Sequence, residues 1–316
     1  MIVLISSAAA AIAATWIARA IALRLGFVSH PNPIIPQHTN PVAYLGGAGL
    51  AVAIVVVAYA GRFFGTVPLY IWLPALLFLI LGVIDDLRPF SAGRKLVLQS
   101  AIAALAVTLG FRADVSGIAV LDALIAFGWI IALVNAVNVT DVCDGLVAGV
   151  SVPLFLALAL LNPARAPLAV AVAGACAGFL FFNRPPATIF LGDAGSHLLG
   201  FLAAVLTPLS SRSFPAALLV TGVFLFELVF LIFVRTRKGL RWWLGSRDHF
   251  ALRLQAAGLS KTQTDLVAVG AGIVSAAMAV AASAAHPYVQ LALLAFAAIL
   301  AIAAGRLLLR WEVMPR

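Results

Sequence analysis

Four short segments carry nearly all the residues able to do chemistry in a chain with only 11 acidic side chains. Asp85 and Asp86 are adjacent and are followed by Arg88, Arg94 and Lys95, a grouping that can hold a hard divalent cation and a phosphate together. Asp141 and Asp144, in Asn135-Ala136-Val137-Asn138-Val139-Thr140-Asp141-Val142-Cys143-Asp144-Gly145-Leu146, are three apart and share a face if that stretch is helical, while Gly145 permits a close backbone approach. Asp193 stands between Gly192 and Ala194-Gly195-Ser196, after the break at Pro185-Pro186; small residues and free amides at a helix start suit a phosphate, and the acid suits its metal. Asp248-His249, with Arg253 four residues on, offers an imidazole and a guanidinium for diphosphate binding or proton transfer. Each segment alone also reads as a solvated loop or as acids paired with nearby arginines; the concentration of acids in so charge-poor a chain argues for a cation, proton or functional partner.

The elements that must position these segments are membrane helices. The chain of 316 residues is 64% hydrophobic and 10% charged, with a mean hydropathy of +1.13. A soluble domain carries roughly a quarter charged residues, so an ordinary water-soluble enzyme is excluded. Cys143 and Cys176 make neither a disulfide framework nor a cysteine zinc site, and both are expected reduced. Apolar runs recur at 2–23, 42–60, 67–84, 96–109, 118–134, 146–161, 167–182, 198–209, 214–234, 266–285 and 288–304. A spanning helix needs about 20 such residues, so the pattern predicts an all-α, polytopic bundle of about eleven transmembrane helices, with 96–109 and 198–209 as short cores. Outer-membrane strand alternation is absent. The whole chain, 1–316, reads as one integral-membrane domain whose longest polar stretch is a loop over 235–265.

Charge gives the orientation. The first run lacks a basic start and carries Arg19 and Arg24 at its far end, so it reads as a retained helix with its amino terminus outside. Alternation then puts sixteen of the 20 basic residues inside and leaves Arg62, Arg112, Arg165 and Arg212 outside. The carboxyl terminus is thus expected in the cytoplasm, together with Asp85, Asp86, Asp141, Asp144, Asp193 and Asp248, while Asp114 and Asp122 face the other side. The net charge of +9 reflects this bias, with anionic lipid as a further contact, and nucleic acid is not an expected partner.

In this order the four segments resemble the polyprenyl-phosphate N-acetylhexosamine-1-phosphate transferases, bacterial enzymes that begin O-antigen, teichoic-acid and peptidoglycan lipid intermediates. Pro31-Asn32-Pro33, His38, Pro41 and Leu45-Gly46-Gly47 extend the likeness to the first cytoplasmic loop. The resemblance implies transfer of a sugar 1-phosphate from a UDP-N-acetyl sugar to undecaprenyl phosphate, releasing UMP, with Mg2+ or Mn2+ required, at the cytoplasmic face of the bacterial inner membrane. A homodimer is left open. Carried over by motif, Asp85, Asp86, Asp141, Asp144 and His249 form the catalytic set, and one of the first two is a candidate base. Asp193 is implied as the main metal ligand, with Asp141 beside it. Asp85, Asp86 and Lys95 are implied to handle the lipid phosphate. Asn138, Asp144, Gly145, Asn183, Gly192, His249 and Arg253 are implied to hold nucleotide and diphosphate, with His38 and Glu227 secondary. The chain departs from the family pattern at Gln37 before the loop histidine, at Thr188 where many relatives have lysine, and at Ala251 and Leu252 where many have histidines. These departures lie around sugar and diphosphate, so the donor sugar stays open and UDP-MurNAc-pentapeptide ranks low. A non-catalytic paralogue serving as a lipid-binding scaffold and a membrane transporter are the alternatives. The transporter predicts midplane acids in broken helices, and the scaffold predicts lost metal ligands.

Overall fold

A computed structural model describes residues 1–29 and 41–313. His38 and the neighbouring motif residues 31–37 therefore lie outside the described residues, as does Arg316. The described residues form thirteen α-helices and one two-stranded antiparallel hairpin, β1 (Val28–Ser29) with β2 (Val42–Ala43). The helices are α1 (Ile2–Leu25), α2 (Gly46–Ala60), α3 (Leu69–Leu87), α4 (Ala92–Thr108), α5 (Ala119–Thr140), α6 (Leu146–Leu161) and α7 (Ala166–Asn183). There follow α8 (Gly192–Leu206), α9 (Phe214–Val220), α10 (Gly222–Arg237), α11 (Phe250–Ala256), α12 (Lys261–Ser283) and α13 (Pro287–Leu308). The protein is a multi-pass membrane protein.

Each apolar run has become helical, but the run at 214–234 breaks into α9 and α10, bent by 75°. Six helices are long and apolar enough to cross a membrane, or seven if the bent pair counts as one span. Helices α2, α6 and α8 have 15, 16 and 15 residues. At about 1.5 Å per residue such helices fall short of a hydrocarbon core of about 30 Å. By length and composition six or seven helices qualify as full crossings, which leaves the sequence count of about eleven open, since short apolar runs read alike whether they face lipid or protein.

Burial sorts the helices. In α8 every residue except Asp193 is buried, whereas α1 and α13 present most of their apolar side chains outward. An all-apolar helix without a polar face belongs either in the core or against lipid. Helix α8 is the centre, packed on α2, α3, α5 and α6. Small residues allow this: a Cβ at Gly82 of α3 would collide with the backbone of Asp193 and Ala194. The loop before α8 is tied to the hairpin, since Phe190 donates its amide to the Ala43 carbonyl at 2.8 Å and Gly46 donates to the Phe190 carbonyl at 3.1 Å. These contacts fix the amino terminus of α8 at the end of the bundle where α3 and α5 finish and α4 begins.

Candidate active site

The site is built around the first turn of α8. Gly192 enters it with φ +71°, a left-handed conformation favouring glycine, and a Cβ there would run into the Asp86 carboxylate. Asp86, at the end of α3, accepts the Asp193 amide at 2.8 Å on one oxygen and the Ala194 amide at 3.2 Å on the other. A carboxylate on the free amides of a helix start is favoured by both hydrogen bonding and the helix dipole. Its neighbour Asp85 is buried, accepts the Phe90 amide at 2.5 Å and pairs with Lys95. Lys95, in the first turn of α4, also contacts Asp193 at 2.5 Å, so one ammonium joins the carboxylates of α3 and α8. Asn138 of α5 donates to the other Asp193 oxygen at 2.7 Å and to the Ser196 hydroxyl at 3.0 Å.

The second acidic segment leaves α5 at Thr140 and turns into α6 through Gly145, whose φ is +77°. Asn183, at the end of α7, is buried and fastens this turn: its oxygen accepts the Gly145 amide at 3.0 Å and its amide donates to the Ile189 carbonyl at 3.0 Å. Asp144 is buried, accepts the Ala187 amide at 3.3 Å and pairs with Lys261 at 3.3 Å. Asp141 is different. Among the described residues its carboxylate has no hydrogen-bonding or ionic partner. Burial, and then the charges of Asp193, Asp86 and Asp144, push its carboxyl well above the usual range.

The fourth segment is organised by other means. His249 Nδ1 lies 2.7 Å from Glu227 Oε1, and the Phe250 amide donates to Glu227 Oε2 at 3.1 Å. Asp248 accepts from Lys238 at 2.8 Å and from Arg253 at 2.6 Å. Burial opposes ionisation of Asp248, but Lys238 and Arg253 together hold its carboxyl below the usual range. The guanidinium of Arg253 is 1% exposed, donates to the carbonyls of Leu308 and Trp311 at 3.2 and 2.9 Å, and lies over the Phe230 ring. Among the described residues no hydrogen bond or ion pair joins His249 or Arg253 to the acids at α8. Arg253, expected from the resemblance to meet phosphate charge, has its guanidinium engaged by Asp248 and the end of α13. Thr188 donates its hydroxyl to the Phe182 carbonyl at 3.1 Å, and Ala251 is wholly buried.

A family model described as glycosyl transferase family 4 matches residues 68–211. A Bacillus subtilis protein named "Probable undecaprenyl-phosphate N-acetylglucosaminyl 1-phosphate transferase" is 29% identical over 80% of this chain and 76% of its own length. A Mycobacterium tuberculosis protein named decaprenyl-phosphate N-acetylglucosaminephosphotransferase is 28% identical over 80% of this chain and 75% of its own length. A phospho-N-acetylmuramoyl-pentapeptide-transferase of Synechocystis is 32% identical over 60% of this chain and 58% of its own length. Over residues 68–211 the chain is similar to glycosyl transferase family 4.

The stretch matched to glycosyl transferase family 4 contains Asp85, Asp86, Lys95, Asn138, Asp141, Asp144, Asn183 and Asp193, the residues the fold brings to one end of the bundle, and stops before His249 and Arg253. Sequence reading did not assign site roles to Ser196, which receives the Asn138 amide, or to Lys261, the partner of Asp144. From sequence, Ser196 reads only as part of the helix start after Asp193, and Lys261 only as topology-setting charge. Among the described residues no three histidine, cysteine, aspartate or glutamate side chains form a ready-made metal cage. A magnesium-type ion would need only one or two carboxylates and would complete its shell with phosphate oxygens and water. Asp141, unpartnered among the described residues and under the charge of three other carboxylates, Asp193 foremost, is the donor such an ion would relieve.

Proposed function

We propose that the protein transfers an N-acetylhexosamine 1-phosphate from its UDP-activated form to undecaprenyl phosphate, yielding a lipid-linked diphosphosugar and UMP. An oxygen of the lipid phosphate attacks the sugar-bearing phosphorus. The bond from that phosphorus to the oxygen bridging it to UMP breaks, and UMP leaves with the electron pair. Such transfers need positioning and charge neutralisation more than a protein nucleophile. The observation that carries this reading is Lys95 held between Asp85 and Asp193, with unpartnered Asp141 beside them. Lys95 supplies positive charge to an incoming phosphate. Asn138 orients Asp193, and Asp86 fixes the helix that presents it. Asp144 and the turn fastened by Asn183 face the nucleotide end. Mg2+, replaceable by Mn2+, would be held by Asp141 and Asp193 and would neutralise charge on the diphosphate. The polyprenyl-phosphate substrates in the names of the similar proteins support the acceptor class. The basic-residue bias supports a cytoplasmic site in a bacterial inner membrane.

Purified protein is supplied with undecaprenyl phosphate, Mg2+ and a panel of UDP-N-acetyl sugars, and UMP and lipid-linked sugar are measured. Product with one donor, abolished by EDTA and by Asp193→Asn, is the expected result and names the sugar. Failure with every donor by folded protein that binds undecaprenyl phosphate overturns the reading in favour of a lipid-binding scaffold.

A further inference from the structure

Directly beneath the Lys95–Asp193–Asn138 contacts lies a second set of polar side chains, inside helices that are otherwise apolar. Gln99 is one turn along α4 from Lys95, His197 one turn along α8 from Asp193, and Asn135 one turn back along α5 from Asn138. All three meet. Asn135 donates to Gln99 Oε1 at 3.0 Å and to the Ile131 carbonyl at 2.8 Å, and Gln99 Nε2 lies 3.2 Å from His197 Nε2. Because the Gln99 oxygen is taken by Asn135, its amide is the donor to the ring, which places the imidazole proton on Nδ1. Gln99 and His197 are wholly buried, and His197 Nδ1 has no partner.

We propose that Gln99, Asn135 and His197 are positioning residues, a second polar tier that fixes the rotation and depth of α4, α5 and α8 so that Lys95, Asn138 and Asp193 converge. Apolar packing alone does not set these. Leucine-like surfaces slide and rotate over one another at small cost, whereas a buried amide or imidazole out of register loses its only partners. The two tiers share the same three helices, so a shift that breaks the lower one displaces Lys95 from Asp193. The catalytic consequence rests on the transferase reading above; the positional one does not.

The test compares wild type, His197→Leu, Gln99→Leu/His197→Leu and His197→Gln in nanodiscs. The glutamine variant restores an acceptor for the Gln99 amide. The double variant removes both buried partners at once, while Asn135 keeps the Ile131 carbonyl, so its fold is protected if the single leucine variant fails. The first readout is acylation of the Lys95 amine by a water-soluble reagent, followed by mass spectrometry with Lys238 and Lys261 as internal references. Lys95 should react at least about fivefold faster in the folded leucine variants and near the wild-type rate in His197→Gln. The second readout is turnover, expected to fall by about tenfold to a hundredfold in the leucine variants with KM within about twofold, and to recover in His197→Gln. Unchanged Lys95 protection in the folded double variant overturns the proposal, as does wild-type turnover there. Altered protection in a protein that turns over no donor leaves the positional inference standing and sinks the transferase reading alone.

Discussion

Asp86 holds the helix that carries Asp193: the two oxygens of its carboxylate accept the amides of Asp193 and Ala194, at 2.8 and 3.2 Å. The adjacent acids at the end of α3 therefore face different tasks, Asp85 towards Lys95 and Asp86 towards the start of α8. Replacing Asp86 by Ala leaves two amides of a helix start without their acceptor. The expected loss is about 1–2 kcal/mol of stability, on the scale of a removed helix cap. Asp86→Asn, which keeps an acceptor but not the charge, should lose less. Unfolding in mixed micelles measures both, and equal losses would show that a neutral acceptor contributes nothing at this helix start and that the charge carries the whole effect.

Glu227 is wholly buried and is the acceptor for both the His249 ring and the Phe250 amide. Glu227→Ala strands those two donors in the interior, a cost of about 1–3 kcal/mol for each group left unsatisfied. Glu227→Gln retains an oxygen for one of them and should be milder. Hydrogen exchange at the amides of α11 locates the effect: protection should fall there first, and a loss spread evenly over the chain would refute the assignment.

The apolar runs, the four acid-bearing segments and their convergence on one end of the bundle were legible in the sequence, because hydropathy reports which stretches are helices and alternation reports which ends share a side. What meets what inside was not. The short runs at 96–109 and 198–209 looked truncated because the helices α4 and α8 begin earlier, at Ala92 and Gly192, with Lys95, Asp193 and Ser196 in their polar first turns. Glu227 and His249 each stood out, yet nothing in one chain links residues 22 apart across a helix and a loop. Resemblance to the family motif gives Arg253 a phosphate role, and nothing in the sequence signals that it is buried against the end of α13. The bend between α9 and α10 falls at Thr221-Gly222, within an apolar run that hydropathy reads as continuous.

Asp141 illustrates a site held at the expense of stability. Burial and three neighbouring carboxylates raise its pKa, so ionisation costs the folded protein stability: the favourable state is fully present below the unfolded value and is lost as pH rises through the folded one. Asp141→Asn removes that penalty. The variant should unfold at a temperature equal to or above that of wild type in metal-free buffer near neutral pH, while losing sugar-phosphate transfer. A lower midpoint in the variant would show that Asp141 is a structural acid.

Asp248 has the opposite sign. Despite burial, Lys238 and Arg253 hold its carboxyl below the usual range, so it contributes stability that is present above the unfolded value of about 3.9 and is lost as pH falls through the folded one. Protonation would leave the buried Arg253 guanidinium with backbone carbonyls as its remaining acceptors. The link between α10 and α11 should stay intact down to about pH 4 and loosen below it, releasing the end of α13 at the same time. Hydrogen exchange at 238–256 and 305–311 across this range tests the coupling. In Asp248→Asn both segments should already exchange faster at neutral pH and show no further acid step. An acid step that persists in the variant would assign the transition to another carboxylate.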